Sequence, residues 1–86
     1  MHTVELLEEA CRVAGTLGYC VRQEWLSGGG GPCEIKGKRW LFIDLSLPPL
    51  EQLDQVLAAV REVPDAPGAV PMSPQLHRYL NGRKAA

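Results

Sequence analysis

The chain has 86 residues, 22% of them charged, with 9 Lys and Arg against 10 Asp and Glu for a formal net charge of -1. That length fits one small domain with a thin core, and the near-neutral balance speaks against a general polyanion binder, which would carry a basic excess. Apolar residues at 45% are too many for wholesale disorder. No apolar run reaches the ~18 residues of a membrane span, and Met1-His2-Thr3-Val4-Glu5 lacks the basic start of a secretion signal, so the expectation is a soluble cytoplasmic protein.

Residues 3–17 read as a helix. Thr3 is a candidate N-cap, and Glu5 and Glu8 stand early, where the helix dipole favours negative charge. Val4, Leu7, Cys11 and Ala14 recur at helical spacing, widened by Ala10 and Leu17, and predict the core-facing stripe. Gly18 suits the position after the helix, because glycine tolerates positive φ.

Residues 19–26 read as a strand in which Tyr19, Val21 and Trp25 alternate with Arg22 and Glu24. Ser27, the glycine run Gly28–Gly31 and Pro32 follow, and the expectation there is a flexible hairpin loop. Cys33–Lys36 reads as a second short strand and Gly37-Lys38 as a turn. Arg39–Leu45 is the strongest strand. It is apolar on both faces, with Trp40, Phe42 and Asp44 on one side and Leu41, Ile43 and Leu45 on the other.

Ser46-Leu47-Pro48-Pro49 starts a second helix, whose stripe is Leu50, Leu53, Val56, Leu57 and Val60, and Pro64 stops it near Val63. A Pro-rich connector over 64–72 leads to a short tail helix, with Ser73 as N-cap, Pro74 at its first position and Gly82 at its end. Acids concentrate on the two long helices, and Arg78, Arg83 and Lys84 make the tail basic.

These elements predict an α+β fold: a three-stranded antiparallel sheet in α-β-β-β-α order, two helices on one face, and a C-terminal tail helix. Residues 1–63 form the compact domain and 64–86 the connector and tail. Two helices cover only one face of the sheet. The other needs the tail, a second copy of the chain or a foreign partner, since an uncovered apolar patch marks an interaction site.

Each chemical motif has a plainer reading beside it. The glycine run is followed by Pro32 and a strand, without the Lys-Ser/Thr of a phosphate loop. Asp44 inside an apolar strand could be a catalytic carboxylate, but an acid at a strand end more often binds nearby backbone N–H groups. Glu24 and Glu34 flank the glycines and serve equally as partners for Arg22 and Lys36. Cys11, Cys20 and Cys33 are an odd number, in no paired spacing, and fit reduced thiols better than a zinc site or a disulfide framework.

The stretch Ile35–Asp44 through Pro49–Leu53 resembles the strand-to-helix part of ImmA/IrrE-type metallopeptidases. In that family the helix carries the zinc-binding histidines; here it has Gln52 and Gln55. The resemblance therefore implies a remnant without peptidase chemistry.

The leading expectation is a non-catalytic protein–protein interaction module, an accessory subunit or regulator, that binds another protein or a second copy of itself. Its contact residues are expected to be Trp40, Phe42, Leu76 and Tyr79, with no cofactor, no metal and no membrane. The alternative is nucleic-acid binding through Lys36, Lys38 and Arg39 with the basic tail, which an adjacent aromatic would assist by stacking. A third reading is a small thiol-dependent enzyme using Cys33 beside the glycine run.

Overall fold

The computed structural model describes residues 3–63, 68 and 70–85, with the side chains of 82–85 left out. The described elements are α1 (Thr3–Thr16), β1 (Cys20–Glu24), β2 (Gly31–Ile35), β3 (Lys38–Asp44), α2 (Pro49–Arg61) and α3 (Pro74–Ala85). The fold is α+β in the expected order, with α1 and α2 packed on each other and on one face of the sheet.

The sheet is mixed and not an antiparallel meander. Its order is β1-β3-β2, with β2 antiparallel to β3 and β1 parallel to it. The central strand is β3, as its apolar residues on both sides require. The reason lies in the two connections. Lys36 and Gly37 both have positive φ, 53° and 79°, between the closing pair Ile35 and Lys38. That is the backbone of a tight two-residue hairpin. The glycine run is no hairpin: it carries the chain across the end of β3, from one edge of the sheet to the other.

Helix ends follow local chemistry. At the end of α1, Tyr19 N–H donates to Ala14 O and Gly18 N–H to Gly15 O, both at 3.1 Å, with Gly18 at φ 104°. This paired closure needs a residue in the left-handed region at that point. Pro48 is extended and accepts from the Glu51 amide, and Pro49 opens α2. Ser73 caps α3: its hydroxyl oxygen accepts from the Leu76 amide at 3.2 Å.

Both stripes are shifted from the expected ones. On α1 the buried residues are Leu6, Leu7, Ala10, Val13 and Ala14, while Val4 is 52% exposed and Cys11 is half-buried. On α2 they are Gln52, Leu53, Val56, Leu57, Ala59 and Val60, and Leu50 is exposed. The buried Gln52 is satisfied, since its side-chain amide donates to Leu47 O at 2.8 Å. Trp25 was expected to point inward and is instead 75% exposed, because β1 ends one residue before it. Leu41 and Ile43 of β3 are fully buried in the core, on the side where α2 packs against the strand.

The tail docks on the helical side. Leu76 and Leu80 enter the core, and Arg61 donates to Leu80 O at 2.7 Å. Glu9 of α1 accepts from both the Ser73 amide, at 2.6 Å, and the Ser73 hydroxyl, at 2.7 Å. α3 runs through position 82 to Ala85 rather than stopping at the glycine. Most of the expected connector, 64–67 and 69, lies outside the described residues.

Candidate functional site

Two features carry the site: a clasp at the end of β3 and an aromatic row along the second face of the sheet. Asp44 is the last residue of β3 and has no exposed surface. One carboxylate oxygen accepts from the Leu26 amide at 3.0 Å, the Ser46 amide at 2.9 Å and the Ser46 hydroxyl at 2.7 Å, and the other accepts from the Gly28 amide. Burial opposes the charge, but the Ser46 hydroxyl and the amides of Ser46, Leu26 and Gly28 outweigh it and hold the carboxyl well below the usual range. A carboxylate so occupied is a structural anchor, the plainer of its two expected roles.

Gln55 of α2 completes the clasp. Its side-chain oxygen accepts from the Asp44 amide at 2.9 Å, and its nitrogen donates to Gly29 O at 3.0 Å. Gly30 passes so close that a Cβ would lie 2.8 Å from Phe42 O, at a φ of 102°. Only glycine fits there. The glycine run is thus pinned across the end of β3, with Gly28, Gly29 and Gly30 in the crossing and Gly31 opening β2.

Alternation and register place Lys38, Trp40 and Phe42 of β3 on the face away from α1 and α2, with Cys20, Arg22 and Glu24 of β1 and Gly31, Cys33 and Ile35 of β2 beside them. No described helix is packed over the rings. Trp40 and Phe42 stack at 5.8 Å between centroids, 11° from parallel, and the Lys38 ammonium stands 5.0 Å from the Trp40 ring. Ile35 and Cys33 are exposed. A groove of about 450 Å³ opens beside Phe42, lined by Leu26, Gly30, Gly31, Pro32 and Cys33.

The other expected site residues are dispersed. Leu76 is 1% exposed and belongs to the core, and Tyr79 packs half-buried against that core, so both lie on the helical side, away from Trp40 and Phe42. Sequence reasoning grouped them because it had no means to place the tail. The basic trio divides as well. Lys38 faces the aromatic row, while Arg39 turns to the helical side, donating to Leu17 O at 2.6 Å and lying 4.7 Å from the Tyr19 ring. Lys36 sits in the hairpin turn.

Glu24 pairs with Arg22 at 2.8 Å, and Glu34 stands opposite Arg39, so the two acids flanking the glycines are on different edges and faces of the sheet. Cys11 is half-buried on α1, where desolvation, and after it Glu8, pushes its thiol up. Cys20 and Cys33 both pair with Trp40, one from each side. Two inter-strand spacings, ~9.6 Å, separate them, beyond disulfide reach within one chain. Among the described residues no three His, Cys, Asp or Glu side chains gather as a metal site, and no helix is long and apolar enough to cross a membrane.

The groove was the feature sequence reasoning missed. Its lining comes from the crossing of the glycine run over β3, which depends on a parallel pairing that the sequence pattern does not announce. Comparison with known proteins finds no matching family model, no matching curated protein and no matching solved structure. The helix compared with that of the metallopeptidases carries glutamines in structural use: Gln52 bonds Leu47 O and Gln55 the clasp.

Proposed function

We propose that the protein is a non-catalytic interaction module, an accessory subunit or regulator, whose binding surface is the open face of the sheet. The observation that carries this reading is the stacked pair Trp40 and Phe42, in the middle of the central strand and on the side without a helix. The core on the other side is closed by α1, α2 and α3, so the rings are not needed there. Two adjacent aromatics with a charged rim of Arg22, Glu24 and Lys38 match the anatomy of a protein–protein contact. Among the described residues the strongly perturbed carboxylate is Asp44, and its saturation by its own chain supports a binding role over catalysis. The reading sets the protein in the cytoplasm, where three unlinked thiols stay reduced.

Native mass spectrometry of the untagged protein recovered from its own cells tests this. The wild type is expected to carry the mass of a further polypeptide chain. Trp40→Thr/Phe42→Thr, which keeps β-branched residues in the strand, is expected to lose it. A wild type that is a bare monomer here and stays monomeric at high protein concentration would overturn the proposal.

A further inference from the structure

We infer that the polypeptide that covers the open face is a second copy of this chain, stacked sheet on sheet about a two-fold axis that crosses β3 at Leu41. The inference rests on the interaction reading and adds the partner and its geometry.

The argument is the register. On the open face, positions 38, 40, 42 and 44 of β3 are symmetric about 41. A two-fold lying in the interface, perpendicular to the strands, lays β3 of one copy antiparallel over β3 of the other. Trp40 then meets Phe42 of the second copy, twice, giving two reciprocal aromatic contacts. In β2, Pro32 is the residue level with Leu41. Three residues to one side of it stands Ile35, 45% exposed, and three residues to the other side is Gly29. The exposed isoleucine of each copy therefore comes over the groove beside Gly30, Gly31 and Phe42 of the other. Cys33 falls over Gly31, again large against small. The face is self-complementary in the sense a two-fold contact requires.

Charge selects this orientation over the other. An axis parallel to β3 would set Lys38 on Lys38, with the Lys36 turns at the same end. The perpendicular axis moves Lys38 to the end where Glu24 stands, in the row of Asp44. Glu24 already holds Arg22 at 2.8 Å and shares its carboxylate with the incoming lysine. Lys38, at the open end, meets the end where the Leu26 and Gly28 amides donate to Asp44. The sheet is small, so the dimer is expected to be weak and reversible, below the standard interface size of about 1,600 Å².

Sedimentation equilibrium of the full chain over roughly two decades of concentration reads the self-association constant. The wild type is expected to associate, and Ile35→Lys to weaken association by about tenfold or more. Ile35 is an exposed edge residue, so this variant keeps its fold, checked by circular dichroism. Trp40→Thr should weaken association as well. In the stacked pair the two Cys33 Cα atoms lie ~12 Å apart, from a sheet spacing of ~10 Å and an offset of two residues along the strand. A short bis-maleimide should then link two copies through Cys33, while air oxidation should give no Cys33–Cys33 disulfide, whose Cα limit is about 7 Å. A wild type that stays monomeric throughout, or a dimer indifferent to both substitutions, overturns the inference. If native mass spectrometry finds a foreign chain held through Trp40 and Phe42 while self-association is absent, the two-fold fails and the interaction reading stands. If neither partner binds, both fail.

Discussion

The Asp44 carboxylate accepts a hydrogen bond from the amide of Gly28, 16 residues earlier in the chain, and so ties the glycine run over the end of the central strand. The arrangement makes the crossing a defined part of the fold.

Acid should undo it late. The carboxyl of Asp44 is held below its ordinary value by the hydrogen bonds it accepts, which outweigh its burial. An unfolded Asp titrates near ~3.9. The stabilisation from Asp44 is therefore fully present above that pH and is lost as pH falls through the lower folded value. Asp44→Asn should lower stability at neutral pH and remove that part of the acid dependence. Urea unfolding at several pH values between neutrality and strong acid measures both; parallel curves for wild type and variant would contradict the expectation.

Two neighbouring glycines should differ. An alanine at Gly30 meets Phe42 O at 2.8 Å and the Gln55 side chain at 2.9 Å, whereas one at Gly28 meets nothing within 4 Å. Both have positive φ, so each substitution carries a backbone penalty of roughly 1–3 kcal/mol. Gly30→Ala should cost at least about 1 kcal/mol more than Gly28→Ala, from the added contact with backbone that cannot give way. Paired denaturation midpoints decide it.

The hairpin turn offers a gain. Lys36 sits at φ 53° and Gly37 at φ 79°, a geometry that favours Asn followed by Gly. Lys36→Asn should raise stability by about 0.5–1 kcal/mol, since asparagine tolerates the left-handed region better than lysine. An unchanged or lowered melting temperature would count against this account of the turn.

The sequence made the elements and their order readable, and much of the rest less so. Periodicity found α1, α2 and β3 within a residue or two at most ends, and the Ser73-Pro74 signal placed the start of α3. The stripes were turned because Val4 and Leu50 fit the spacing but stand in the first turn of their helices, where little packs over them. The parallel pairing of β1 escaped because a short glycine connection normally signals a hairpin, and what reverses that expectation is a set of bonds from Asp44 and Gln55 that no local pattern encodes. The place of Trp40 and Phe42 on the central strand was readable from its doubly apolar pattern, while the docking of Leu76 goes with a long-range tie, Ser73 to Glu9.

That tie should hold the tail. Glu9→Gln and Ser73→Ala each remove part of the contact, and the second also removes the cap of α3, worth about 0.5–2 kcal/mol. Hydrogen exchange should show α3 amides losing protection in either variant, with α2 amides losing less. Equal loss in both helices would mean that the tail and the core open together.

The thiols should react in order. Cys33 is exposed, Cys20 is half-buried, and Cys11 is half-buried with its thiol pushed up by burial and Glu8. Timed alkylation with iodoacetamide, read by mass spectrometry of peptides, should label Cys33 first and Cys11 last. Early labelling of Cys11 would show α1 opening on its own.

The strand order also sets the sequence of events by which the chain finds its shape. The contact between Ile35 and Lys38 closes a minimal loop, whereas every rung between β1 and β3 joins positions as distant as residues 20 and 40. Closure of the longer loop loses more chain entropy, so loop closure favours the β2–β3 ribbon forming ahead of the β1–β3 pairing. The last strand to join must pass over one already in place. A run of four glycines is the most pliant chain available for that passage, and the Asp44 carboxylate waits at its far side as the latch.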